Sequence, residues 1–315
     1  MLNNSLEDTG YAAHMKQAFP NSIEELQRLL ADQGYIADLG LTTSIYLALK
    51  LKRPLLLEGE AGVGKTEIAK VISTLLGIDL IRLQCYEGLD VNHAVYEWNY
   101  ARQLIHIRLS EVGNDATKSQ ATDLFGPDFL IERPLLQAIR GHQSRPPILL
   151  IDELDRADEE FEGYLLELLS DFQITIPEIG TLKASTPPVV VITSNRTREL
   201  HDALKRRCLY AWIEYPSFEK ELQIINMKVP EAETALAEQV AAFVQELRLA
   251  ELYKNAGVSE TLDWVAALVE LGKHELDPET IEQTIGIVLK NQEDIQRIRG
   301  DRIREILNKI RTSHS

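Results

Sequence analysis

Cysteine is scarce: Cys85 and Cys208 are the only two in 315 residues. They lie far apart and in no metal-ligand spacing, which excludes a disulfide framework and a zinc centre and fits a reducing cytosol. Basic residues are also few. Thirty-three Lys and Arg face 49 Asp and Glu, a net charge of −16, so the molecule as a whole repels polyanions and non-specific nucleic-acid binding is disfavoured. Long apolar runs are missing, the longest being strand-sized pieces such as Ile148 to Ile151, and the opening MLNNSLEDTG has no basic stretch leading into an apolar one. The expectation is no targeting or membrane-spanning segment. There is no internal repeat and no low-complexity tract. What the chain does have is ordinary globular composition, 44% hydrophobic and 26% charged, and length for about two domains.

Residues 1–20 are polar and aperiodic and read as a loosely held extension. Asn21-Ser22 offers an N-cap to a helix with Ile23, Leu26, Leu29 and Leu30 on one face, and a second helix is predicted over Leu41 to Lys50. Five short β-rich runs follow: Pro54 to Glu58, Leu80 to Gln84, Ile148 to Asp152, Val189 to Ser194 and Tyr210 to Glu214. Most are continuous rather than alternating, the pattern of parallel strands covered on both faces. Helical patterns such as Glu67 to Leu76 and Glu159 to Leu169 complete a βα alternation. Two hairpins are predicted as insertions, one from Glu97–Tyr100 and Leu104–Leu109, the other from Gln173–Pro177 and Thr181–Ala184. From Ser217 the strand signal stops and four or five helices are expected. The predicted organisation is an extension over 1–20, an α/β nucleotide-binding domain over 21–215 and a helical domain over 216–315.

Gly59-Glu60-Ala61-Gly62-Val63-Gly64-Lys65-Thr66 matches G-x-x-x-x-G-K-[ST], between an apolar strand and a helix that opens with Glu67. Its glycines let successive backbone N–H groups surround phosphates, Lys65 reaches the β- and γ-phosphates, and the Thr66 hydroxyl faces Mg²⁺. The run ending in Asp152-Glu153 places two carboxylates at the end of a buried strand. Asp152 is assigned to the Mg²⁺ shell and Glu153 to activation of the attacking water, which favours hydrolysis over phosphoryl transfer to an acceptor. Asp155, Arg156, Asp158, Glu159 and Glu160 read as helix-start charges. Asn195, closing the run from Val189, is a candidate to contact the γ-phosphate and the lytic water; capping the next turn is its other reading. Lys205-Arg206-Arg207 precedes the last strand, where an arginine reaching a neighbouring subunit's site would accelerate hydrolysis by about 10³- to 10⁵-fold. A solvated basic face is the alternative. The seven histidines do not cluster; His93, His106 and His142 fall in separate segments.

In that order, these motifs resemble the AAA+ ATPases. Asp152-Glu153-Leu154-Asp155-Arg156-Ala157 is similar to the D-E-[IL]-[ND]-R-A signature of the MoxR family, and Ser170 to Ile176 with its hairpin is similar to the same family's segment before the sensor asparagine. Leu83–Gly88, Glu97–Tyr100 and Thr193–Leu200 further resemble the MoxR branch associated with carbon monoxide dehydrogenase maturation. The resemblance implies a sheet of order 5-1-4-3-2, ATP and Mg²⁺ as cofactors, a helical lid and hexameric rings. It makes Tyr35 and Ile36 adenine-pocket residues, with core packing as the equal alternative, and Arg207 the arginine finger with Arg206 as competitor. One departure lies in the lid: where many relatives have Ser-Pro-Arg, this chain has Ser259-Glu260-Thr261, and Thr261 supplies no cation. Arg297, Arg299, Arg302 and Arg304 are substitutes by charge alone. The family implies a protein-remodelling chaperone, often with a von Willebrand factor A partner and often in metal-cofactor insertion. The alternatives weighed are an AAA+ nucleic-acid motor, opposed by the charge of −16, and a small-molecule kinase, opposed by Glu153 and the helical C-terminal region.

Overall fold

The computed structural model describes residues 19–112, 124–141 and 146–313. Most of the polar extension expected over 1–20, and His142, lie outside the described residues. The chain forms two compact units that interleave in sequence. One holds Leu39–Glu58 and Ala69–Ala211 together with the described residues up to Leu26; the other holds Gln27–Asp38, Gly59–Ile68 and the chain from Trp212 onward. The sequence reading drew a single boundary at 215/216 instead.

Helix α1 (Ile23–Asp32) starts at the expected cap, the Ser22 hydroxyl accepting from the Glu25 N–H at 3.1 Å, and α2 (Leu39–Leu51) follows. Strand β1 (Leu55–Gly59) leads into α3 (Lys65–Leu76) and β2 (Leu80–Gln84). Next come α4 (Val91–Ala94), β3 (Tyr96–Trp98), α5 (Tyr100–Val112), β4 (Leu130–Glu132), α6 (Pro134–Arg140) and β5 (Ile148–Asp152). Helix α7 (Glu159–Asp171), the pair β6 (Gln173–Ile176) and β7 (Gly180–Lys183), β8 (Val189–Ser194), α8 (Asp202–Lys205) and β9 (Leu209–Ile213) complete this part. The central sheet has the order β2-β5-β8-β1-β9, which is 5-1-4-3-2 when only its own strands are counted. The pairs β2–β5, β5–β8 and β1–β8 are parallel. Every residue of β1 and β5 is buried, which is why those runs carry continuous Leu and Ile rather than alternation. Because three neighbouring strands run the same way, Glu58, Asp152 and Ser194 line one edge of the sheet.

The β6–β7 hairpin forms as expected, with Ile176 opposite Gly180. The other predicted hairpin does not form. Leu104–Leu109 lies on α5, and β3 pairs antiparallel with β4 from beyond the helix, Trp98 facing Leu130. The cause is local: the Asn99 side chain accepts from the Arg102 N–H at 3.0 Å and its carbonyl from the Gln103 N–H at 3.0 Å, so a helix cap stands where a turn was expected. Trp98 still packs, edge-on to Tyr96 and Phe125 at centroid distances of 6.1 and 5.3 Å.

Among the described residues six helices, not four or five, make the C-terminal part: α9 (Phe218–Lys228), α10 (Thr234–Leu249), α11 (Val258–Glu270), α12 (Pro278–Val288), α13 (Gln292–Ile298) and α14 (Asp301–Ser313). The last two are parted only by Arg299 and Gly300, and Asn291 caps α13 by accepting from the Glu293 and Asp294 N–H groups. Phe243 and Trp264 meet edge-on at 5.6 Å in this core. Beside them Glu221, fully buried, takes both guanidinium Nη groups of Arg248 at 2.7 Å, the Thr261 hydroxyl at 2.9 Å and the Gln245 amide at 2.8 Å. Removing one partner of such a pair strands a buried charge. Arg248→Ala is therefore expected to lower stability by about 3–5 kcal/mol, read as a shift of the urea midpoint; a shift below roughly 1 kcal/mol, the range of exposed pairs, would show that the pair is solvated. Among the described residues no helix is long and apolar enough to cross a membrane.

Candidate nucleotide site

The Gly59–Thr66 loop joins β1 to α3 as the motif requires. Two glycines are dictated by geometry. At Gly59, φ is +154° and an added Cβ would lie 2.1 Å from the Ile213 carbonyl oxygen; at Gly62, φ is +76° and a Cβ would lie 3.0 Å from the Gly257 Cα. The loop is thus a backbone cradle with no room for side chains at those turns. Lys65 is 6% exposed, and its ammonium donates to the Gly59 carbonyl at 2.7 Å and the Glu60 carbonyl at 2.5 Å. Val63 is buried, Glu60 and Ala61 are exposed, and Thr66 and Glu67 sit in the first turn of α3. Tyr35 stands against this loop, its ring carbon Cε2 3.6 Å from a Cβ built on Gly64, and burial foremost, then Asp38 and Glu67, push its hydroxyl pKa upward. Ile36 points elsewhere. It lines a cavity of about 500 Å³ with Gln27, Gln223, Asn226 and Met227.

At the end of β5, Asp152 is 2% exposed. Its Oδ1 accepts from the Thr193 hydroxyl at 2.6 Å and its Oδ2 from Nε and Nη2 of Arg82 at 3.0 and 2.5 Å. Glu153 follows in left-handed backbone, φ +55° and ψ +50°, with its N–H donating to the Thr193 hydroxyl at 2.8 Å. That turn separates the two adjacent carboxylates: the Glu153 side chain accepts from the Gln84 amide at 3.1 Å and from the Asn195 amide at 3.4 Å. The structure therefore brings Glu153 and Asn195 together, from the ends of β5 and β8, and adds Arg82, Gln84 and Thr193.

Asp155 corrects the sequence reading. It does stand in the first turn of a short 3-10 helix over Leu154–Arg156, but it is 3% exposed and accepts from the N–H groups of Asn195 and Thr197 at 3.0 and 2.9 Å and from the Thr197 hydroxyl at 2.7 Å. Burial raises its carboxyl pKa, but these donors outweigh it and hold the value below the ordinary one. Asp155 thus fixes the loop that carries Asn195. The helix-start role falls to Asp158, which caps α7 by accepting from the Phe161 N–H. Cys85, beside this cluster, stays a thiol: burial first, then Asp152, Asp155 and Glu153, push its pKa to about 12.

Arg206 and Arg207 are exposed after α8. Nε of Arg207 donates to the Ser170 hydroxyl at 2.7 Å and Nη1 to the Ala203 carbonyl at 2.9 Å. Arg53 braces the same turn, donating to the carbonyls of Arg206 at 2.9 Å and Arg207 at 3.3 Å. In the helical part, Thr261 is turned inward onto Glu221, while Arg299, Arg302 and Arg304 pair with Glu282, Glu305 and Asp301.

The donors present suit a Mg²⁺-nucleotide. Gly59 and Gly62 pack against Ile213 and Gly257 too closely for a Cβ, which holds the loop in a tight turn, and a turn of successive backbone N–H groups suits phosphate oxygens. Among the described residues no group of three or more His, Cys, Asp or Glu could hold a metal; the Thr66 hydroxyl at the start of α3 is the kind of oxygen donor that Mg²⁺ takes beside phosphate and water.

The chain is 26% identical over 229 residues to an uncharacterized protein of Staphylococcus haemolyticus, covering 70% of this chain and 77% of that one. It is 26% identical over 229 residues to one of Staphylococcus aureus, with the same coverage of both chains. Among solved structures it is similar to the RuvB Holliday junction branch migration motor of Thermotoga maritima, at 18% identity, 88% and 75% coverage and a TM-score of 0.45. It is also similar to a putative ATPase of Cytophaga hutchinsonii, at 16% identity, 96% and 97% coverage and a TM-score of 0.44. Residues 54–208, which span the whole of the strand-end cluster and the P-loop, match the model of the AAA domain of the dynein-related subfamily.

Proposed function

We propose that this chain binds Mg-ATP and hydrolyses it. The observation that carries the reading is the Glu153 carboxylate, held between the Gln84 and Asn195 amides at the strand ends, on the edge of the sheet from which β1 enters the P-loop. Ligands of open α/β sheets bind outside the carboxyl ends of the strands. Lys65 and the loop N–H groups would hold the phosphates, the Tyr35 ring beside that loop would receive the base, and by the motif reading Thr66 and, through water, Asp152 would hold Mg²⁺, which would offset charge on the phosphate oxygens. Glu153 takes a proton from the attacking water. Gln84 and Asn195 orient that carboxylate by donating to its two oxygens, and Asn195, fixed through Asp155, stands where it can also meet the water. Asp152 has both oxygens engaged by Arg82 and Thr193, whereas the Arg156 guanidinium stands back from Glu153 at 3.8 Å, which leaves Glu153 as the carboxylate suited to accept the proton.

The finer reading is a MoxR-type chaperone of the branch linked to carbon monoxide dehydrogenase maturation. It closes into a hexameric ring in the cytosol and remodels a client, with a von Willebrand factor A protein as partner. Arg206 or Arg207 then serves the neighbouring subunit's site. The supports are the Asp152–Ala157 signature, the hairpin after Ser170 and the net charge of −16, which suits a protein client better than nucleic acid. The test is the solution mass of Glu153→Gln with and without Mg-ATP. A shift to about six subunits is expected, with hydrolysis by the parent protein lost on Arg207→Ala or Arg206→Ala whichever is the finger. A monomer that binds ATP under both conditions would remove the trans arginine and the ring.

A further inference from the structure

The lid segment that lacks the family's arginine makes a different connection to the P-loop. The Val258 N–H, the first of α11, donates to the Gly62 carbonyl at 2.8 Å. This approach exists because both partners are glycine-flanked. A Cβ on Gly257 would lie 2.7 Å from the Gly62 Cα, and one on Gly62 would lie 3.0 Å from the Gly257 Cα. The seam is fixed from the helix side. Glu260 reaches back to accept from the Gly257 N–H at 3.1 Å, and the Gly257 carbonyl accepts from the Thr261 N–H and hydroxyl, both at 3.1 Å. Thr261, in turn, is anchored on buried Glu221.

A trans peptide is planar, with its C=O and N–H pointing in opposite directions. Holding the Gly62 carbonyl against α11 therefore turns the Val63 N–H to the opposite side of the loop, away from α11. We propose that Val258 and Gly257 are positioning residues for nucleotide binding, in which the backbone of α11 orients the Gly62–Val63 peptide so that its N–H meets the nucleotide's phosphates. In place of a side-chain cation on the phosphate, the chain uses a main-chain hydrogen bond that sets the shape of the cradle. The same bond makes the start of α11 responsive to phosphate, since anything that rotates the 62–63 peptide breaks its contact with Val258. The inference rests on the P-loop binding nucleotide.

Val258→Pro tests it with the removal of one donor. Position 258 is the first of a helix, where proline is well accommodated, and Gly257 has φ −80° and ψ 176°, the extended backbone that proline requires before it. On the full chain, a fluorescent ATP analogue is titrated and then competed with ADP and with AMP. Loss of one oriented hydrogen bond is expected to weaken ATP and ADP about five- to tenfold, to leave AMP within about twofold, and to leave the melting temperature of the ligand-free protein unchanged. Gly257→Ala, which forces the seam apart, is expected to give the same selective loss, and Val258→Ala, which keeps the N–H, to give none. Equal affinities of the parent and both seam variants for ATP, or an equal loss for AMP, would overturn the proposal. Failure of the parent protein to bind ATP at all would instead overturn the nucleotide reading on which it rests.

Discussion

Glu153→Gln is expected to bind ATP with an affinity within about twofold of the parent and to release phosphate about 10²- to 10⁴-fold more slowly, the range of a lost general base. The residue changes charge and hardly changes shape. Its left-handed backbone, φ +55°, and the N–H bond to Thr193 at 2.8 Å do not depend on the side chain. What changes is the acceptor pair. The carboxylate receives amide donors from Gln84 and Asn195 on its two oxygens, whereas a carboxamide offers one oxygen and turns an NH₂ toward the other donor. The variant therefore loses both the proposed proton acceptor and the alignment of the amides around it. Single-turnover phosphate release, with nucleotide binding measured separately, separates the two effects. Undiminished turnover would mean that another group activates the water, and Asp152, with both oxygens engaged by Thr193 and Arg82, would have to be freed to do it.

Gly59→Ala is expected to cost about 3 kcal/mol or more, enough to remove much of a domain's typical stability of about 5–15 kcal/mol. The new Cβ would lie 2.1 Å from the Ile213 carbonyl oxygen and 3.1 Å from its carbonyl carbon. Those are backbone atoms of β9, which cannot turn aside as a flexible side chain can. The backbone at φ +154° adds a second penalty for any L-residue. Gly77 supplies the contrast. It too has a positive φ, +61°, but nothing lies within 4 Å of its would-be Cβ, so alanine there meets only the left-handed cost of about 1–2 kcal/mol. Urea titrations of the two variants at constant m-value measure the difference. If Gly59→Ala unfolds at the same midpoint as Gly77→Ala, the close passage of β1 by Ile213 is wrong.

How far the chain could be read in advance varied with the range of the interaction. Strands β2, β5 and β8 were legible to the residue, because runs such as Ile148–Asp152 are buried on both faces and carry that fact in every position. The P-loop was legible because its glycines, lysine and threonine act within eight consecutive residues. Strand β3 was not: its partner, β4, lies beyond a whole helix, and three residues give no period to read. Asp155 was misread for the same reason. In sequence it stands among charges that open a helix, and only the fold carries Asn195 and Thr197 to it. Arg82 and Gln84 did leave a signal, two polar residues at i and i+2 on an otherwise apolar strand, but the pairing of Gln84 with Asp152 in register is what makes it meaningful.

By itself the sequence determined the parallel α/β core, the glycine-rich loop between β1 and α3 and the pair of carboxylates at the end of β5, since each is written in local composition and spacing. Only the tertiary structure decided which groups surround those carboxylates, that the helical part holds six helices, and that the start of α11 meets the P-loop at Gly62. Those outcomes depend on hydrogen bonds and steric clearances between residues distant in the chain, such as Val258 and Gly62, and no periodicity encodes them.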